Sequence, residues 1–490
     1  MLNRIIIALG CALIVSCSKT ETITPATPSI PTTPTTNTST YNPLWVPPIL
    51  NGTTFNLSLE KATKQLQAGA KTNTYGYNGN DFWGPTLIMN KGDNVTLNVT
   101  NKIDETTTVH WHGFHIPANM DGGPHQTIAP NVTWSPNFKI MNNAGTYWYH
   151  PHAHELTHKQ LAYGAGGFII IKDPEEAALN LPRTYGVDDI PLMLTSRRYS
   201  ATNVIDIAGA YGDYQLTNGI SSSQITLPKA FVRFRILNAE IERGYNLGFS
   251  DNRTFYVIGN DGGLVNAPIA VTRLPLMVGE RAEIMVDLGG DAIDSAIDLK
   301  TFNSGQPLGF GGGEPATSGV FGSLLNNKDF NLLNIKVGAA GASAVKTIPG
   351  TLANNTYWTN SDVTNSRTIT ITGGQGGQAF TLDNKAYSHT TINQTVKLNA
   401  VEKWTIVNNN IFGHAFHIHD VQFKVISRSN GAVAPYESGW KDTVYVPIGT
   451  SVSVIAKFDD FSSPTDAFMY HCHFSNHEDE GMMGNFIVIP

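Results

Sequence analysis

The sequence predicts an all-β protein assembled from three β-sandwich domains, and three observations predict it. First, only 14% of the 490 residues are charged and 41% are hydrophobic, with abundant Thr, Asn and Gly and few long stretches of helical period. That composition suits pleated strands joined by tight turns. Second, short β-rich runs alternate with turn signals, as in "KGDNVTLNVTN" (91–101), "FVRFRILNAE" (231–240), "LPLMVGERAEIMVDL" (274–288) and "EKWTIVNNN" (402–410). Such a rhythm is that of β-sandwiches. Third, breaks near residues 173–188 and 337–343 divide the chain into segments of ordinary domain size. The expected domains are residues 43–175, 186–338 and 345–490.

Taken in order, the first residues, "MLNRIIIALGCALIVSCSKT", form an export signal, with Arg4 as the positive start and Ile5 to Val15 as a short apolar run. That run is short for a membrane span. Its ending, "IVSC", resembles a bacterial lipoprotein cleavage box, so residues 1–17 are expected to be a lipoprotein signal with Cys17 the lipidated first residue of the mature chain. Residues 18–42, rich in Thr, Pro and Ser, cannot bury a core and read as a tether. The expected location is the cell envelope, in the periplasm or at the outer membrane. A formal net charge of −7 without a basic stripe excludes a nucleic-acid partner. Of the three cysteines, Cys11 leaves with the signal and Cys17 carries lipid, so Cys472 is the one free thiol. An exposed free thiol is a liability outside the cytosol, which gives Cys472 another task.

In the first segment "VHWHGFHIP" (109–117) precedes "YWYHPHAH" (147–154); in the third, "AFHIHDVQF" (415–423) precedes "FMYHCHFSNH" (468–477). This echo indicates duplication of one β-domain. All fifteen histidines lie either between His110 and His158 or between His389 and His477, so the middle segment is expected to be structural, with "SGQPLGFGGGEPATSG" (304–319) a long mobile loop. Residues i and i+2 of a strand share a face. His110/His112, His150/His152, His417/His419 and His471/His473 therefore each present two imidazoles side by side. Eight imidazoles without regularly placed carboxylates point to a multinuclear site, and copper suits them best. Cys472 faces the other way from His471 and His473. With His414, His477 and Met482 it makes the Cys, two His and weak Met set of a blue-copper site.

The motifs "HWHG", "HPH", "HAFHIH" and "HCHFSNHEDEGM", with "RFRILNA" and "PLMVGERAEIMVDL" between them, resemble those of the laccase-like multicopper oxidases, from about Tyr41 to Pro490. The resemblance implies three Greek-key cupredoxin-like β-sandwich domains and four copper ions. It assigns type 1 copper to His414, Cys472, His477 and Met482, and type 2 copper to His110 and His417. It assigns the type 3 pair to His112, His150 and His473 on one ion and His152, His419 and His471 on the other. It further implies that electrons from a small reducing substrate enter at Cys472, reach His471 and His473 through a few covalent bonds, and reduce O₂ to water after four one-electron steps. Asp121, in "MDGGPH", and Glu478, beside His477, are the implied proton-handling acids. His115, His125, His154 and His158 are not expected to be ligands, and His389 is expected to be structural. The implied donor is a phenol or aromatic amine, with Cu(I), Fe(II) or Mn(II) as the alternative and a non-catalytic envelope scaffold a further one. No Met falls between Met285 and Met469, and "NNNIFG" (408–413) lacks the acid and methionine of a cuprous site. A monomer is expected.

Overall fold

The computed structural model describes residues 41–374 and 378–490; the signal segment, Cys11, Cys17 and nearly all of the tether lie outside the described residues. Six sheets pair face to face in chain order, except that Asn42–Pro43, expected at the edge of the first domain, pairs with Ser223–Pro228 of the second sandwich. In the first sandwich, a sheet holding Thr86–Asn90, His110–His112, Gly145–His150 and Gly167–Lys172 packs on one holding Thr54–Lys64, Thr72–Tyr77 and Asn94–Asn101. Alternation decides what each strand buries: in Asn94–Asn101, Val95, Leu97, Val99 and Asn101 point inward. They meet Phe55, Leu57, Trp111, Tyr147 and Ile169 in one core. The second sandwich, two six-stranded sheets, encloses Ile190, Leu192, Val232, Phe234, Ile236, Leu247 and Ile284. The third, two five-stranded sheets, encloses Trp404, Ile406, Phe416, Val454, Tyr470 and Phe486. Among the described residues no helix is long and apolar enough to cross a membrane.

The strand Phe231–Asn238 is buried on both faces. Val232, Phe234 and Ile236 enter the core, while Arg233 and Arg235 meet acids where the first two sandwiches abut. Arg235 Nε lies 2.8 Å from Asp189 Oδ1 and its Nη1 2.8 Å from Glu283 Oε1. Arg233 pairs with Glu283 and Glu176, and Thr146 Oγ1 of the first sandwich donates to Glu283. Paired in this way, charges can be buried.

The segment 304–319 departs from the expected mobile loop. Residues 309–314 are buried, and Phe310 inserts into the core of the third sandwich. The Gly309 carbonyl accepts from the Gly413 amide at 3.0 Å and from the Tyr445 hydroxyl at 2.9 Å. The aromatic anchor Phe310 and the two hydrogen bonds to the Gly309 carbonyl together dock the loop.

Candidate metal centre

Backbone register brings the histidine motifs together. His110 stands opposite His150, and His417 opposite His471. His152, His419 and His473 follow just beyond the ends of their strands, still fully buried. The two strand pairs, one from each terminal sandwich, place eight buried imidazoles in one cluster.

Most of the rings tie one nitrogen outward and turn the other inward. His110 Nδ1 donates to the Asp121 carbonyl (3.0 Å), His417 Nδ1 to the Asp442 carbonyl (2.7 Å), His150 Nδ1 to the Pro151 carbonyl (2.8 Å) and His471 Nδ1 to the Cys472 carbonyl (3.0 Å). His419 Nδ1 donates to Asp121 Oδ2 (2.6 Å), and His152 Nδ1 lies 3.0 Å from Glu478 Oε1. His112 is reversed: its Nε2 donates to Asp442 Oδ1 (3.1 Å) and its Nδ1 faces inward. Outward bonds of this kind fix tautomer and ring orientation.

The inward nitrogens form two groups. The Nε2 atoms of His152, His419 and His471 form a triangle with sides of 3.2, 3.1 and 3.2 Å. With the protons on the outer nitrogens, three lone pairs face one another, an arrangement that a cation stabilises. The centre of this triangle lies about 1.8 Å from each nitrogen, a little inside the ~2.0 Å of a metal–imidazole bond. In the second group His112 Nδ1 lies 3.4 Å from His150 Nε2 and 3.1 Å from His473 Nε2. His110 Nε2 and His417 Nε2 are buried without a hydrogen-bond partner. The donor set therefore fits two three-imidazole positions and one two-imidazole position. Burial, then repulsion from neighbouring rings, holds His112, His417 and His419 well below the usual histidine range, so they are neutral donors.

On the other face of the same strand, Cys472 Sγ lies 3.5 Å from His414 Nδ1 and 3.7 Å from His477 Nδ1. Met482 is fully buried in the same core cluster, and its carbonyl accepts from the Cys472 amide at 3.1 Å. Burial pushes the Cys472 thiol well up, so a cation is needed to hold it as a thiolate. Phe380 covers His477, ring centroids 3.9 Å apart. The short helix Ser475–Asp479 turns His477 towards Cys472 and Glu478 towards His152 and His471. Burial raises Glu478, but its contacts with His152 and His471 outweigh it and bring it to about 2, so it is a carboxylate facing the two rings.

Eleven of the twelve sequence-identified positions are thus brought together in two buried clusters, with Met482 buried in the core beside Cys472, and Asp121 and Glu478 both touch the histidine cluster. Of the remaining histidines, His125 Nδ1 lies 3.2 Å from His389 Nε2, His154 packs on Tyr387, His158 Nε2 donates to the Ile207 carbonyl and His115 meets Asp420. Sequence reasoning missed Asp442, Thr443 and Arg281. Arg281 Nη1, from the second sandwich, donates to Asp442 Oδ1 at 2.7 Å, and Thr443 Oγ1 lies 3.2 Å from His417 Nδ1. The sequence carries no spacing signal for Asp442, since its partners come from three separate segments. Gly279, φ +83°, abuts His473: an added Cβ would lie 2.8 Å from the ring.

A profile described as multicopper oxidase matches residues 58–176, and a second so described matches residues 360–490. The multicopper oxidase mco of Staphylococcus aureus is 31% identical over 445 residues, 89% of this chain and 88% of that one. The cell division protein FtsP of Xenorhabdus nematophila is 30% identical over 461 residues, 91% of this chain and 92% of that one. Among solved structures, the laccase-like multicopper oxidase CueO of Ochrobactrum, described as active towards lignin model compounds and lignosulfonate, matches with a TM-score of 0.81 at 31% identity, covering 91% of this chain and 100% of that one. The multicopper oxidase of Campylobacter jejuni, described as a metallo-oxidase, matches with a TM-score of 0.76 at 27% identity, covering 92% and 96%. The architecture of these proteins is the nearly all-β, cupredoxin-like one described above. With two matching profiles, and a multicopper oxidase at that identity across most of both chains, this protein belongs to the multicopper oxidase family.

Proposed function

We propose that the protein is a laccase-like oxidase coupling four one-electron oxidations of a phenol or aromatic amine to the reduction of O₂ to two waters. The observation that carries this reading is the tripeptide His471–Cys472–His473, whose middle side chain faces one donor cluster and whose flanking side chains face the other. Copper at His414, Cys472, His477 and Met482 and at the eight-imidazole cluster would supply one-electron redox chemistry and O₂ reduction. The chain's own part is to hold both clusters in fixed orientation and joined by a few covalent bonds. Asp121 and Glu478, buried against His419, His110, His152 and His471, are placed to accept and pass on the protons that O₂ reduction consumes.

The surface near His477 supports an aromatic donor. Leu308, Val320, Leu324 and Ile411 are exposed there, and Phe321, Phe412, Phe380 and His477 follow one another with ring centroids 4.8, 5.9 and 3.9 Å apart. One observation favours a metal-ion donor instead. Glu242 and Glu314 are buried, and each leaves Oε1 without a partner. Burial, then Glu480 and Glu314, push Glu242 well above the carboxylate range, so a cation bound there would displace its proton and relieve the repulsion among these acids. The likeness to FtsP raises an envelope scaffold without catalysis; the complete set of twelve ligand side chains speaks against it. Export with lipid attachment at Cys17 belongs to the same proposal.

The test is O₂ uptake by the copper-loaded chain, from residue 18 onward, with a phenol, Cu(I), Fe(II) and Mn(II) in parallel. Turnover of the phenol is expected. No uptake with any donor at full copper content overturns the oxidase reading. Uptake with metal ions only, abolished in Glu242→Gln, replaces the aromatic donor with a metal ion.

A further inference from the structure

A second group of metal-ligating side chains lies away from both clusters, where the first and third sandwiches meet. His115 sits three residues beyond His112, and its amide donates to Asn142 Oδ1 at 3.0 Å. Its Nδ1 lies 2.8 Å from Asp420 Oδ1 and 3.1 Å from the Asp420 carbonyl. Two acceptors at Nδ1 put the proton there and leave Nε2 facing the other way. That nitrogen is 3.1 Å from Asp460 Oδ2 and 3.8 Å from Asp459 Oδ1. Phe461 packs against the ring at 4.8 Å and fixes its plane.

The arrangement is that of a carboxylate–histidine–metal triad, in which an outer carboxylate orients the ring and the far nitrogen meets the ion. Asp420 is the outer carboxylate; it is fully buried, and its second oxygen, Oδ2, has no partner. The charges do not balance. Three carboxylates, Asp420, Asp459 and Asp460, surround His115, and besides it they face one cation, Lys457, whose Nζ lies 2.9 Å from Asp459 Oδ2. A cavity of about 160 Å³, lined by His115, Asp459, Lys457, Trp358 and Trp440, reaches the group from outside.

We propose that His115 Nε2, Asp459 and Asp460 bind a divalent cation of the zinc, manganese or copper(II) class, tying the first sandwich to the third. One nitrogen and two carboxylate oxygens suit such borderline ions. The ion would be additional to those of the histidine cluster and the Cys472 site, and its binding does not depend on the oxidase reading. Without a cation, a proton fills the gap: burial opposes charge on His115, but Asp420 and Asp460 outweigh it and raise it to about 9. Cation binding therefore displaces a proton and tightens as pH rises towards that value.

The test is Zn(II) titration of the copper-loaded full chain, followed by calorimetry and by metal analysis after dialysis. One additional Zn(II) per chain is expected, with proton release and a raised unfolding temperature. His115→Gln and, separately, Asp460→Asn should each weaken binding about 10- to 100-fold. Copper content and blue absorption, read in the same samples, should stay unchanged. Asp460 is half exposed, so its variant should fold even if that of His115 does not. Absence of the extra ion at millimolar Zn(II), or binding that neither substitution weakens, overturns the proposal and leaves His115 as an imidazolium ion pair.

Discussion

Cys472 is a buried thiol whose protonated form is favoured by its surroundings, so occupation of its site by copper must expel a proton. Copper uptake there should release one proton, and apparent affinity should fall about tenfold per unit as pH drops, measurable by titration in buffers of different ionisation heat. Cys472→Ser should lose the blue absorption and about 10³-fold or more of turnover, because donor cluster and thiolate act as a unit; a variant that keeps its colour refutes the assignment. Glu478→Gln keeps the shape but removes the carboxylate that can take up and pass on a proton. It should keep the blue absorption and slow turnover by about 10²- to 10⁴-fold, read by stopped-flow with a fast donor. Asp442→Asn removes the charge that Arg281 Nη1 meets at 2.7 Å. Asp261 Oδ1 still lies 3.7 Å from Arg281 Nη1, so the cost should be about 1–3 kcal/mol rather than that of a buried cation left unpaired, to be read in urea unfolding.

Short elements decide where the ligands point. The strand Ser463–Cys472 ends as its side chains reach the site, and the five-residue helix Ser475–Asp479 then sends His477 to one cluster and Glu478 to the other. The turn at Gly279 supports His473 from the second sandwich. Gly279→Ala adds a Cβ in the left-handed region and against the ring, a strain of about 1–3 kcal/mol. Copper in the histidine cluster should weaken while the Cys472 site keeps its absorption; equal retention of all copper would show that His473 can shift freely. The HxH spacing was legible because a strand places i and i+2 on one face. Phe380 was not, since its contact with His477 spans 97 residues of unrelated sequence and leaves no periodic trace.

Across the molecule, buried ion pairs lock the sandwiches together. Burial raises Glu283, but Arg233 and Arg235 outweigh it and bring it to about 2, against about 4.5 when unfolded. A depressed carboxylate contributes stability that is present above the unfolded value and lost as pH falls through the folded one. The stability difference between the protein and Glu283→Gln should therefore be constant above about pH 4.5 and shrink towards about pH 2, followed by chemical unfolding. A difference that does not change over this range would mean that Glu283 is not ionised in the fold.

The sequence by itself determined the all-β class, the histidine-free middle segment and the pairing of histidines on common strand faces, because strand alternation and the Cys/His pattern are local properties of the chain. Residues such as Arg281, Asp442, Glu242 and Asp460 act through partners brought near by packing, and nothing local marks them. The docking of residues 309–314 was likewise decided by tertiary contact, through Phe310 and the Gly309 carbonyl. The division follows from range: side-chain chemistry and strand period are written within a few residues, whereas desolvation and charge pairing depend on which distant segments share a buried seam.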